Sequence, residues 1–311
     1  MPAIRTKQLT RDFATVRAVD GLSLEVPEGI VFGFLGPNGA GKTTTIRLLL
    51  GLIEPTSGSL EVLGYSGSDS SDSIRANSGA LLEHTGLYER LTALDNLDYI
   101  GRIWHIPDSA RRDRIRELLT HFGLWDRRSE KVNSWSRGMK QKLAVARTLL
   151  HRPRLVFFDE PTAGLDPVAA ASLREDIAGL VSRDGTTVFL TTHNLTEAEK
   201  LCSLVAVINK GKLLTMGHPD ELRAKTGRQR VRVSGGGFTE GVIAAVRERP
   251  ETAAVEQVNG ALLIELNEHG GMTPLLRVML DNGAHVDEVR RENATLEDAF
   301  LKLMEESDHV C

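Results

Sequence analysis

The sequence predicts an α/β fold with a parallel sheet, followed by a small α+β domain of the ferredoxin-like type. In the first part of the chain, short apolar runs alternate with helical stretches, as in β-α-β units; the runs cover residues 30–35, 155–158, 188–191 and 204–208. A glycine-rich loop joins the first run to a helical pattern at residues 46–52. Beyond a polar stretch the pattern becomes β-α-β-β-α-β, which favours a second, smaller domain.

The chain has 311 residues, a length that suggests two domains. We expect the first at residues 1–222, with a helical subdomain at about 85–150, where strand signals are few. Residues 223–230 are the expected linker, and residues 231–311 the second domain. Within it, Asn259 and Gly260 lie between two apolar runs and predict a hairpin turn.

Composition and charge limit the classes of partner and the cellular compartment that we expect for this chain. The net charge is −4, so no global basic field favours binding to nucleic acid. No run of about 20 apolar residues predicts a membrane span. The two cysteines lie far apart without metal-ligand spacing, which indicates free thiols in a reducing compartment.

The loop after the first apolar run carries the clearest chemical signal. Residues 36–43 read G-P-N-G-A-G-K-T, a phosphate-binding pattern in the strand–loop–helix context that it requires. Backbone N–H groups and the helix N-terminus attract an anion. Lys42 can reach the β- and γ-phosphates, and the Thr43 hydroxyl can ligate Mg²⁺. The predicted nucleotide contacts are Gly36, Pro37, Asn38, Gly39, Ala40, Gly41, Lys42, Thr43 and Thr44.

Two carboxylates follow the apolar run at residues 155–158. Successive strand side chains point to opposite faces, so Asp159 and Glu160 can take separate roles. We expect Asp159 to hold Mg²⁺ through water and Glu160 to deprotonate the attacking water. His193 follows another apolar run, where it can hydrogen-bond a γ-phosphate oxygen and hold Glu160 in place.

A second anion-binding pattern precedes a predicted helix at residues 142–150. It combines a serine hydroxyl, at Ser136, with the N–H of Gly138. Because one γ-phosphate does not need two such sites in one chain, we expect this segment to complete the site of a partner chain.

These motifs, in this order, resemble the nucleotide-binding subunit of ABC transporters over about residues 1–222. Residues 36–43 resemble the Walker A loop and residues 155–160 Walker B. Glu160 stands at the position of the catalytic carboxylate, His193 at that of the switch histidine and Asp166 at that of the D-loop aspartate. The resemblance implies a P-loop NTPase fold that binds and hydrolyses ATP with Mg²⁺.

The remaining matches carry departures from the family pattern. The signature motif is degenerate: Ser136 and Gly138 are retained, whereas Arg137 and Met139 stand where Gly and Gln are common. Glu83 stands where a magnesium-binding glutamine is usual, and a carboxylate can ligate Mg²⁺ as well. Phe13 stands where the family stacks an aromatic ring on adenine; plain core packing is the alternative.

The resemblance also implies partners. Two copies would dimerise around ATP and drive a separate membrane permease, through a surface that we place at residues 83–104. The chain would then lie in the cytoplasm, held at the inner face of the membrane by that permease. No nucleic-acid partner is expected.

The C-terminal extension resembles that of ABC-2-type exporter ATPases, including antibiotic-resistance members. It implies export of drug-like or lipid-like compounds; an accessory domain that only adds dimer contacts is the alternative. A soluble ABC ATPase acting on ribosomes or DNA is the rival function. The single cassette and the short segment between the Walker motifs weigh against it.

Overall fold

A computed structural model describes residues 2–66, 70–225, 230–267, 270–292 and 295–308. The chain divides into two compact units, Met1–His218 and Pro219–Cys311. This division precedes residue 222 because helix Pro219–Lys225 packs against the last helix of the second unit. The expected linker includes residues 226–229, which lie outside the described residues.

The first unit combines strands and helices that alternate along the chain. Its strands are β1 (Pro2–Phe13), β2 (Val16–Pro27), β3 (Val31–Leu35), β4 (Ser57–Val62), β5 (Tyr65–Ser66), β6 (Ser78–Leu81), β7 (Leu155–Asp159), β8 (Thr187–Thr192), β9 (Leu204–Asn209) and β10 (Lys212–Gly217). Its helices are α1 (Lys42–Leu49), α2 (Ser71–Ala76), α3 (Ala93–Ile103), α4 (Asp108–His121), α5 (Arg137–Thr148), α6 (Pro167–Asp184) and α7 (Leu195–Leu201).

The central sheet has the order β10-β9-β3-β8-β7-β6 and is parallel except for β10. The predicted α/β fold with a parallel sheet is confirmed. Strands β3, β7 and β8 are buried along their whole length, as expected for a sheet covered on both faces. The ring of Phe189 lies 5.2–5.5 Å from those of Phe32, Phe34 and Phe157, which fixes the register of these strands.

The apolar runs did not reveal a second, antiparallel sheet of order β2-β1-β4-β5. Its two long strands pair with several register shifts, and a shift changes which residues face the core, so the period-two signal is broken. Ile4, Leu22 and Val26 pack in the same apolar cluster as Phe32 and Phe34. This sheet therefore covers one side of the parallel sheet near the phosphate loop.

Helices α3, α4 and α5 occupy the region where the sequence predicts a helical subdomain. Thr92 caps α3 by accepting a hydrogen bond from the N–H of Asp95, and Ser136 caps α5 through the N–H of Met139. Arg114 of α4 donates to the carbonyl of Leu149, which fastens α4 to the end of α5. Within the described residues, no helix is both long enough and apolar enough to cross a membrane.

The second unit contains the predicted β-α-β-β-α-β order, with a helix at each end. Its elements are α8 (Pro219–Lys225), β11 (Arg230–Gly236), α9 (Glu240–Arg247), β12 (Thr252–Val258), β13 (Ala261–Leu266), α10 (Met272–Asp281), β14 (His285–Glu292) and α11 (Leu296–Asp308). The antiparallel sheet has the order β12-β13-β11-β14. Asn259 and Gly260, both at positive φ, form the predicted turn between β12 and β13.

Candidate functional site

The phosphate loop connects β3 to α1 by a path that needs glycine. A Cβ on Gly36 would lie 2.4 Å from the carbonyl oxygen of Ile208. Gly41 has φ = +105°, and a Cβ there would lie 2.3 Å from the carbonyl oxygen of Ala18. Helix α1 begins at Lys42, so its N-terminus faces the loop. The glycines thus let the loop wrap closely against its neighbours and aim a helix N-terminus inward.

Lys42 is held inside this loop. Its ammonium group donates to the carbonyls of Gly36, at 2.8 Å, and Pro37, at 3.2 Å, and the side chain is only 6% exposed. The Glu160 carboxylate lies 3.5 Å from the same nitrogen. The cation is therefore fixed at the loop's centre.

Asp159 lies at the end of β7, next to the start of α1. The Thr43 hydroxyl donates to one carboxylate oxygen of Asp159, at 2.6 Å, and the Thr191 hydroxyl donates to the other. Thr191 is the register partner of Asp159 on β8. The sheet thus brings a hydroxyl from the loop and a carboxylate from β7 together, as predicted for a divalent cation site.

Glu160 adopts φ = +50°, a left-handed conformation that is unfavourable for a residue with a Cβ. The backbone N–H of Glu160 is held by both the carbonyl and the hydroxyl of Thr191. Its carboxylate meets His193 Nδ1 at 2.6 Å, as well as Lys42. Strain at such a position is typical of functional sites, and here it turns Glu160 towards Lys42 and His193.

A cavity of about 700 Å³ opens over these groups. Its lining includes eight predicted site residues beyond Asp159 and Glu160: Asn38, Gly39, Gly41, Lys42, Thr43, Thr44, Glu83 and Arg137. Asp159 and Glu160 line it as well. The structure thus brings the predicted phosphate loop, both carboxylates and Glu83 around one space.

Phe13 lies at the end of β1 and is 41% exposed, which argues against the core-packing alternative. The Arg11 guanidinium lies 4.5 Å from the centre of its ring. The cavity wall nearby is formed by Val16, Arg17 and Ala18 of β2. A role of Phe13 in stacking adenine stays a prediction.

The signature segment, residues 136–139, is arranged differently. Ser136 and Arg137 are exposed at the start of α5. The Arg137 guanidinium reaches the cavity rim and donates to the Ala163 carbonyl at 2.8 Å. The Met139 sulfur accepts a hydrogen bond from the Arg127 guanidinium at 3.1 Å, and Gly138 faces Ala169 near the start of α6. Only Arg137 of this segment lines the cavity of its own chain among the described residues.

Asp166 caps helix α6. One of its carboxylate oxygens accepts hydrogen bonds from the N–H groups of Val168 and Ala169, at 3.0 and 2.9 Å. The remaining carboxylate surface is exposed. This places the predicted D-loop residue beside the signature segment rather than over the phosphate loop.

Several lining residues escaped the sequence analysis. Gln141 donates to the Pro161 carbonyl at 2.6 Å and lines the cavity, together with Arg17 and Lys210. Gln141 stands one turn into α5, two residues after the signature segment, so its place beside the site could be predicted from the sequence. Arg17 and Lys210 come from parts of the chain without any motif.

The site fits a magnesium ion bound together with phosphates. Mg²⁺ commonly takes one or two protein ligands and completes its shell with phosphate oxygens and water. Thr43 and Asp159 offer such a pair, and Glu83 adds a carboxylate at the rim. In the described part of the chain, no three His, Cys, Asp or Glu side chains gather into a closed metal cage.

Comparisons with known proteins agree with this geometry. The ABC transporter family profile matches residues 19–163. The bacitracin transport ATP-binding protein BcrA of Bacillus licheniformis is 36% identical over 302 residues, which are 97% of each chain. The daunorubicin/doxorubicin resistance ATP-binding protein DrrA of Streptomyces peucetius is 39% identical over 74% of this chain and 70% of its own.

The fold is shared with a solved protein as well. A structure of an ATP-binding subunit of an ABC transporter superposes with a TM-score of 0.65 at 30% identity, over 72% of this chain and 93% of the other. The family match, a relative aligned over nearly the full length and the preformed phosphate loop all agree. This chain belongs to the ABC transporter family, as an ATP-binding subunit that hydrolyses ATP.

Proposed function

We propose that two copies of this chain close around two magnesium-bound ATP molecules and power a separate membrane permease that exports drug-like or lipid-like compounds. Each ATP would lie between the phosphate loop of one copy and the signature segment of the other. The observation that carries this proposal is the exposure of Ser136 at the N-terminus of α5, while the phosphate loop is complete within its own chain.

In this proposal Lys42 neutralises the β- and γ-phosphates, while Thr43 and Asp159 hold Mg²⁺ between phosphate oxygens. Glu160 accepts the proton of the attacking water, and His193 donates a hydrogen bond to the γ-phosphate. Support comes from the convergence of Lys42 and His193 on the Glu160 carboxylate. A γ-phosphate among these groups meets a cation, a base and a hydrogen-bond donor.

The permease would bind an apolar surface around α3. This α3 surface consists of exposed large apolar side chains: Tyr88, Leu91, Leu94, Tyr99, Ile103 and Trp104. Contiguous exposed apolar side chains are typical of binding surfaces. Tyr88 and Tyr99 meet edge to face at 5.2 Å, which keeps both rings on the surface. Binding there would hold the chain at the cytoplasmic face of the membrane.

The cargo class rests on the relatives. BcrA is named for bacitracin transport and DrrA for daunorubicin and doxorubicin resistance. Their similarity to this chain supports an exporter of bulky, partly apolar compounds. The ribosome or DNA alternative has no such support.

The test is to express the chain with the membrane protein encoded beside it. Co-purification is expected, with ATPase activity stimulated by compounds of the exported class in vesicles. Leu94→Asp together with Tyr99→Asp should abolish co-purification, because two charges at the interface centre would have to be desolvated. Leu52→Asp, at an even more exposed leucine outside the α3 surface, is the control and should co-purify normally. Retention of the double variant by the permease would contradict the assigned surface.

A further inference from the structure

A buried carboxylate lies behind the site. Glu197 of α7 is 2% exposed, and its Oε2 accepts hydrogen bonds from two threonine hydroxyls. The Thr162 hydroxyl donates at 2.7 Å and the Thr192 hydroxyl at 3.3 Å. Thr162 lies in the loop after β7 and Thr192 is the last residue of β8, so Glu197 joins segments that are 30 residues apart in sequence.

Those two segments lead directly to the groups proposed to react. Thr162 follows Glu160 by two residues, and Thr192 directly precedes His193. The network continues through Asn194, whose N–H donates to the Thr192 hydroxyl at 2.9 Å and whose side chain accepts from the N–H of Glu197. Glu197 thus fixes both the loop that carries Glu160 and the loop that carries His193.

The surroundings of the Glu197 carboxyl group are not explained by a contribution to folding stability alone. Among the described residues, Oε1 of Glu197 is buried and has no hydrogen-bond partner. The carboxylate also lies by Cys202, where burial and the charge of Glu197 raise the pKa of the thiol. A buried carboxyl oxygen without a partner costs folding free energy, because it has lost its hydrogen bonds to water. An unsatisfied buried group of this kind calls for an explanation beyond packing.

We infer that Glu197 is a positioning residue for ATP hydrolysis, acting as a buried clamp that sets the distance between the Glu160 and His193 loops. The inference rests on the proposed roles of those two residues. Their direct contact lies on the open side of the site and joins groups that both have to face a γ-phosphate during reaction. The clamp lies on the closed side and can persist while that contact changes.

Two substitutions of Glu197 distinguish an effect of its hydrogen bonds on loop position from an effect of its charge. Glu197→Ala removes the acceptor, and the kcat for ATP should fall about a hundredfold, since small misplacements of reacting groups cost that much. The KM for ATP should stay within about twofold, because Lys42 and the phosphate loop are untouched. Glu197→Gln keeps one oxygen for both hydroxyls, so it should restore most of the kcat.

Single hydroxyl deletions test the clamp without disturbing its centre. Thr162→Val and Thr192→Val should each lower kcat by about tenfold, half of the hundredfold loss on a logarithmic scale. Thr6→Val is the matched control for Thr192→Val, since both threonines are 3% exposed and each hydroxyl makes two hydrogen bonds, those of Thr6 within the antiparallel sheet. Its kcat should equal that of the unmodified chain.

Three outcomes distinguish the positioning role of Glu197 from the catalytic role proposed for Glu160. If Glu197→Ala lowers the melting temperature but leaves kcat unchanged, the clamp is overturned. Glu197 would then have only a structural role. An equal loss of kcat in Glu197→Ala and Glu197→Gln would overturn it in favour of a pure charge effect. Full activity of Glu160→Gln would instead remove the proposed catalytic role, whatever the Glu197 variants do.

Discussion

The phosphate loop and the signature segment lie in one chain, but they are built in opposite ways. Around the loop, Lys42 and Thr43 are held by partners from the same chain, and the cation is almost fully buried. In the signature segment, Ser136 and Arg137 are exposed, and the Ser136 hydroxyl accepts one long bond from its own helix. The difference supports the proposal that one half of the ATP site is finished within the chain, whereas the other half is presented to a partner.

The largest effect on the ATPase rate should come from Glu160→Gln, which keeps the size and shape of the side chain but removes the carboxylate that acts as the base. General-base catalysis contributes about a hundredfold to ten-thousandfold in rate, so phosphate release should fall by that order. Because ATP is no longer cleaved, an ATP-dependent dimer should accumulate. Size-exclusion chromatography with light scattering, with ATP and then with ADP, measures it. A variant that hydrolyses ATP at the normal rate would show that another group is the base.

The next effect distinguishes the two regions directly. Lys42→Ala should abolish ATP binding by the isolated chain, since it removes the cation that the loop holds in place. Ser136→Asp should leave that binding within about twofold, because aspartate caps a helix as well as serine does. It should still lower the ATPase rate strongly, since a carboxylate would repel the partner's γ-phosphate. Equilibrium binding of a fluorescent ATP analogue and phosphate release measure the two quantities separately. Loss of ATP binding in Ser136→Asp would show that the segment acts within its own chain.

How far the sequence predicts these regions depends on their physical signals. Residues 36–43 could be assigned from the sequence because glycine positions, a lysine and a helix start are all local. Glu197 could not, because its role depends on two threonines brought close only by parallel pairing of β7 with β8. The long antiparallel strands were missed because their register shifts disturb the alternation.

Helix starts show the same limit on a smaller scale. A threonine directly before a helical pattern predicts an N-cap, and at Thr295, before α11, this is confirmed, since its hydroxyl accepts from the N–H of Asp298. The same rule predicts a cap at Thr273, followed by Pro274 at the first helical position, and there it is wrong, because α10 begins at Met272 after Gly271. Pro274 then lies in the first turn, where its missing N–H has no intrahelical partner to lose.

The smallest expected effect is on the stability of the fold at acid pH. It involves His151, which lies just beyond the C-terminal end of α5. His151 stacks on Trp104 with ring centres 4.0 Å apart, and its Nε2 contacts the Ser78 carbonyl at 3.0 Å. Burial lowers the pKa of His151 in the folded chain. The neutral ring therefore stabilises the fold above the unfolded pKa of about 6.5, and this stabilisation is lost as the pH falls through the lowered folded pKa.

Thermal unfolding at about pH 7.5 and about pH 5.5 tests this, since the two values lie on either side of that unfolded pKa. His151→Gln should lose less melting temperature between them than the unmodified chain does. An equal loss in both proteins would assign the acid sensitivity elsewhere, for example to His121, whose pKa burial also lowers.

Mixing two inactive variants tests the shared ATP site most directly. A Lys42→Ala copy paired with a Ser136→Asp copy has one spoiled site and one site made of an intact loop and an intact segment. We predict that each variant alone is nearly inactive and that an equal mixture recovers about a quarter of the normal ATPase rate, given random pairing in a two-fold dimer. No recovery on mixing, with the variants shown to exchange subunits, would contradict an ATP site built from two copies of this chain.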